Sequence, residues 1–179
     1  MFADRKDRNE TETSTTATRR TVIALILILI VDVGYLAWGA MAALAPDHLL
    51  GPGSLPILAA EYKGFTGHSW SELADAAPMA PAFVTVIFRV YGAYNVVFGL
   101  MASAIALTAF RRGDRWAWWT LLVGHTIALG SAMKFDWTMN AIGPFEMTEY
   151  LGLAFIYTAL AITASFAVRL PVSAERGTV

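Results

Sequence analysis

The chain has 179 residues, of which 56% are hydrophobic and 15% charged, with a net charge of −1 and no cysteine. Soluble domains carry about 25% charged residues, so the deficit points to lipid as the solvent, and the near-neutral balance argues against a nucleic-acid partner. The lack of cysteine excludes disulfides, thiol catalysis and thiolate metal sites together.

Residues 1–18, MFADRKDRNETETSTTAT, are polar, and their composition predicts a disordered cytoplasmic tail. A helix needs about 20 mostly apolar residues to cross the hydrocarbon core. Within residues 19–169 four segments meet that demand, at about 21–44, 82–110, 116–134 and 150–168. None alternates as a barrel strand does. The predicted fold is therefore all-α: a polytopic membrane protein, an antiparallel four-helix transmembrane bundle. Residues 170–179 form a second cytoplasmic tail.

The first span opens after Arg19 and Arg20 and closes on AMAALA, a pattern shared with cleaved signal peptides. A signal h-region covers about 7–15 residues, whereas this run is longer and is interrupted by Asp32, so an uncleaved helix is expected. Cleavage would leave three spans and remove Asp32.

A long external loop, 45–81, joins the first two spans. It begins PDHLLGPGSLP, rich in turn formers, and continues YKGFTGHSWSELADAAP. Ser69 and Glu72 have capping-box spacing, which predicts a short helix from about Trp70 to Ala77, ended by Pro78. A loop of this length either covers a cavity or only packs. His68 and Glu72 stand four apart, read as solvated rather than as metal ligands. The second and third spans are joined by RRGDRW, a tight turn that predicts antiparallel neighbours.

Basic residues set the orientation. With both termini cytoplasmic, ten lie inside, Arg111, Arg112 and Arg115 among them, and only Lys63 and Lys134 lie outside. The expected location is the inner membrane, and ten arginines against three lysines fit a GC-rich bacterial genome.

Depth along a helix follows from about 1.5 Å per residue. Asp32 comes out roughly 18 Å above Arg20 and His125 roughly 15 Å above Arg115, so the two share a level. A central aspartate costs about 2.5–3.5 kcal/mol to insert and finds a partner inside the bundle. Histidine both donates to a carboxylate and titrates near neutrality, so Asp32 is expected to meet His125, with Asn95 able to join from the second span. The pair reads either as a proton-carrying couple or ligand anchor, or as a device that sets helix register. Nearer the outer mouth lie Arg89, Lys134 and Glu149, with Asp136 and Glu146 beside them; Glu149 is the expected partner of Arg89. Gly92, Val96, Gly99 and Ser103 continue the face of Arg89, which predicts that Arg89 points inward.

No phosphate-binding glycine loop, His-Glu-x-x-His or nucleophile elbow occurs, and a bis-histidine haem would need a second histidine within the spans. No cofactor and no metal are expected. GFTGHSWSEL followed by RRGDRWAWW resembles small uncharacterised bacterial membrane proteins of four helices, and the layout is similar to the DoxX-like and sterol-isomerase-like families. That resemblance implies a four-helix membrane fold and no particular activity.

The favoured function is binding or passing a small or lipid-like molecule in an outward-facing cavity within the bundle. Arg89 and Glu149 would form its entrance and Asp32, Asn95 and His125 its inner site. One alternative is an accessory or scaffolding subunit docked on a membrane-protein partner or on its own copy. The other is a membrane enzyme with His125 and Asp32 as acid and base.

Overall fold

A computed structural model describes residues 3–46, 49, 56, 58–144 and 146–168, with side chains of the first helix from Thr18 onward. The expected tail 170–179 and most of PDHLLGPGSLP lie outside the described residues. Helix is the only regular element among those described: α1 (Ala3–Leu44), α2 (Ala59–Thr66), α3 (Trp70–Ala76), α4 (Ala80–Leu107), α5 (Arg115–Met139) and α6 (Met147–Ile162). Single 3-10 turns follow α4 at Phe110–Arg112 and α6 at Ala164–Phe166.

α1 begins at Ala3, inside the stretch whose composition predicts disorder. That stretch holds neither glycine nor proline from Ala3 onward, so a helix nucleated by the apolar run extends through it at little cost. Two helices are long and apolar enough to cross a membrane: Thr18–Leu44, 27 residues, and Ala80–Arg112, 33 residues. They measure about 40 and about 50 Å against a hydrocarbon core of about 30 Å. α6 is apolar but has only 16 residues. α5 has 25 residues but carries Arg115, His125, Lys134 and Asp136. The most apolar stretches of the two long helices are only 22% and 33% buried. Val22, Ile23, Ile26, Ile30 and Val33 all face outward from α1, where a soluble core helix would bury them.

α1 packs most extensively on α4 and next on α6, while α5 packs on α6 and only sparingly on α4. α1 and α5 thus stand across from one another. The α1–α4 seam is close because glycines line it on both sides. A Cβ on Gly39 would sit 2.7 Å from the Gly92 carbonyl oxygen, and one on Gly92 would sit 2.5 Å from the Ala43 nitrogen. One on Gly99 would meet the Asp32 carbonyl oxygen at 2.9 Å. Side chains are excluded there, and backbones touch.

The RRGDRW turn closes with Gly113 in the left-handed region at φ 79°, and Arg112 bonds Asp114 at 3.0 Å. It ties the ends of α4 and α5 together, yet the broad glycine face of α4 goes to α1 instead. The larger hydrophobic core lies at this turn end, around Ile28, Phe110, Leu121, Ile156 and Leu160. A smaller cluster of Ala42, Leu49 and Phe88, flanked by Trp38 and Leu58, lies at the loop end.

Within the loop, α3 carries the expected capping box: Ser69 Oγ accepts from the Glu72 amide at 3.2 Å, and Glu72 accepts from the Ser69 amide. α2 was not expected, because its Gly64 and terminal Gly67 read as a glycine-rich loop. Gly64 is instead a contact glycine, since a Cβ there would run into the Met139 carbonyl oxygen at the end of α5.

Candidate functional site

Within the larger apolar cluster, flanked by Ile28 and Val31 on α1 and by Leu121 and Leu129 on α5, lies a layer of buried polar side chains. Asp32 projects from α1 and His125 from α5, so the bond joining them crosses the diagonal of the helices. His125 Nε2 lies 2.9 Å from Asp32 Oδ1, and neither side chain is exposed. His125 Nδ1 lies 2.9 Å from the Leu121 carbonyl oxygen one turn back on its own helix. Ser103 of α4 donates to the other carboxyl oxygen, Asp32 Oδ2, at 3.4 Å.

These bonds set the proton count. A carbonyl oxygen only accepts, so Nδ1 must carry a proton. Nε2 and Oδ1 then share one further proton, as imidazolium with carboxylate or as imidazole with carboxylic acid. Either way the pair has no net charge, which is what burial at this depth requires. The imidazole is walled by aromatic edges: Phe98 at a centroid distance of 5.2 Å and Tyr35 at 6.4 Å. Phe98 and Tyr35 also contact each other, at 4.8 Å. The order is Ser103, Asp32, His125, with the hydroxyl on the carboxylate and not on the imidazole. A serine nucleophile needs its base on the hydroxyl, so this is not a hydrolytic triad.

Asn95 is buried but stays on its own helix, donating to the Tyr91 carbonyl at 2.9 Å. Eight residues separate it from Ser103, about 12 Å along α4, so it does not join the pair. Arg89 is exposed rather than inward. The buried stripe of α4 runs through Phe88, Gly92, Asn95, Gly99, Ala102 and Ala106, and Arg89 lies one position off it. No ion pair joins Arg89 to Glu149 among the described residues, and Glu149 Oε2 is buried with no hydrogen-bond donor.

Glu149 instead faces carboxyls, at the loop end of the helices and beyond the expected spans. Asp136 of α5 and Glu146 lie near it, and Glu61 of α2 lies near those two. Burial, then Asp136 and Glu146, push Glu149 up to about 8. Burial also raises Asp136 and Glu61.

A separate cavity of about 250 Å³ opens at the loop end. Pro46, Leu49, Trp70, Val84, Thr85 and Phe88 are among its lining residues, and it includes none of the five polar residues singled out from sequence. Trp70 belongs to α3, so the capped loop helix forms one wall. Ser103 and Phe98 are the contacts that sequence reasoning missed; Ser103 was visible only as one member of a small-residue stripe. Comparison with known proteins finds no match: no family fits the chain, and no curated protein or solved structure is similar to it.

Proposed function

We propose that this is a multi-pass inner-membrane protein, an antiparallel bundle of four transmembrane helices with both termini cytoplasmic, which binds or passes a small lipid-like molecule at its outer end. The observation that carries the reading is the apolar cavity of about 250 Å³ between α4 and the loop, walled by Trp70 and Phe88. The outward apolar faces of α1 and α4 support the membrane setting. In this reading the ligand is an apolar chain held by Leu49, Val84 and Phe88 and covered by α3, and the Asp32–His125 pair is the sealed polar layer beneath it.

The test is native mass spectrometry of protein extracted in its own lipid, with Val84→Trp as the cavity-filling variant. A stoichiometric small molecule or lipid is expected on the wild type and lost from the variant, with helical content retained. An adduct held equally by both proteins would overturn the assignment.

A further inference from the structure

Three carboxyls from three different elements converge at the loop end, each with a buried oxygen that has no hydrogen-bond donor: Glu61 Oε2 on α2, Asp136 Oδ2 on α5 and Glu149 Oε2 on α6. Asp136 is only 6% exposed. Buried acceptors are almost always satisfied, and leaving one bare costs about 1–3 kcal/mol. Three in one place call for an occupant that supplies positive charge or a donor. Among the described residues no three carboxyls are set closely enough to hold a metal ion. The lysines of the two helices concerned, Lys63 on α2 and Lys134 on α5, are exposed. A proton on one of the carboxyls supplies such a donor. Facing carboxyls satisfy one another when one is protonated and donates to the next, and Asp136 lies near enough to Glu149 to raise its need for a proton.

Gly64 of α2 rests on the Met139 carbonyl at the end of α5, and α2 packs on α5 more than on any other helix. α2 also meets α3, where Tyr62 packs edge-on against Trp70. We propose that Glu61, Asp136 and Glu149 form a proton-operated clasp that holds α2, and with it the external loop, against the outer ends of α5 and α6. Glu146 adds a fourth carboxyl at the start of α6, with its Oε2 accepting the Gly143 amide at 2.8 Å. Among the described residues Tyr91 of α4 and Tyr35 of α1 are also within electrostatic reach of Glu149.

The sign follows from Glu149. Its proton is retained in the closed state up to about 8, against 4.5 for a free carboxyl. The clasp is therefore strongest at acidic pH, weakens as pH rises from about 4.5, and is at its weakest above about 8. Loss of the proton leaves like charges side by side in a poorly solvated site, and α2 lifts. The clasp rests on this cluster alone and does not depend on what fills the cavity.

The absence of cysteine allows the test on the full chain in lipid nanodiscs. Spin labels on Lys63→Cys and Thr138→Cys, both exposed positions, report the distance between α2 and α5. A single short distance is expected at about pH 5.5 and a longer, broader distribution at about pH 9.5, on either side of the Glu149 value. Glu149→Gln with Asp136→Asn, which mimics the protonated state, should keep the short distance at both. A distribution that is the same at both pH values in the unmutated cluster, whether short or long, overturns the proposal. So does a neutralised variant that opens like the parent. Closure at the higher pH restored by calcium chloride would show that a metal cation, not the proton, is the occupant.

Discussion

At the scale of single residues, the Asp32–His125 pair poses the sharpest question, and two magnitudes separate its possible charge states. Polar contacts between membrane helices average about 0.6 kcal/mol, whereas stranding one member of a buried ion pair costs about 3–5 kcal/mol. Asp32→Ala and His125→Ala, each measured by denaturant unfolding in micelles, are expected to show the larger cost. The double variant should lose clearly less than their sum, because it leaves no stranded partner. Additive losses would mean that the two groups are not coupled. The pairing was legible because depth along a helix is a ruler of about 1.5 Å per residue, and only one histidine stands at the depth of Asp32. Ser103 was not, because a hydroxyl in a stripe of small residues looks the same whether it packs or bonds. Arg89 was misplaced for a similar reason. Gly92 lies four residues beyond Phe88 and three beyond Arg89, and both steps keep a helical face, so counting alone cannot choose the buried neighbour.

At the scale of elements, the seam between α1 and α4 rests on glycine at facing positions. Gly92→Leu and Gly39→Leu should each displace whole backbones, since their new carbons would meet main-chain atoms within 2.7 Å rather than flexible side chains. Loss of a monodisperse peak on size exclusion and a markedly lowered melting temperature are expected for both. Gly130→Ala is the control: nothing lies within 4 Å of its Cβ position. It should raise stability by up to about 1 kcal/mol, the cost of glycine in a helix interior. If Gly92→Leu melts like Gly130→Ala, the close seam is not real. The capping box of α3 was fully legible, since a serine and a glutamate three residues apart carry their own geometry. α2 was missed because Gly64 serves a contact with α5 that lies about 75 residues away in sequence.

For the whole molecule, the proposed topology makes a direct prediction. Cysteines introduced at Lys63 and at Arg112 of the full chain should react with a membrane-impermeant maleimide from opposite sides of sealed vesicles, Lys63→Cys from outside and Arg112→Cys only after lysis. Labelling of both from one side would remove the four-span arrangement. By itself the sequence determined that the chain is helical and that Asp32 needs a partner at its own level; of the four stretches it offered as spans, two are helices long and apolar enough for a bilayer. Those are matters of composition, period and rise, which every helix carries locally. Tertiary structure alone decided that α4 turns its glycines to α1 and Arg89 outward, that Ser103 completes the polar layer, and that Glu149 faces Asp136 and Glu146 instead of an arginine. Each depends on the rotation of one helix against another. Packing over many weak contacts sets that angle, and no single segment encodes it.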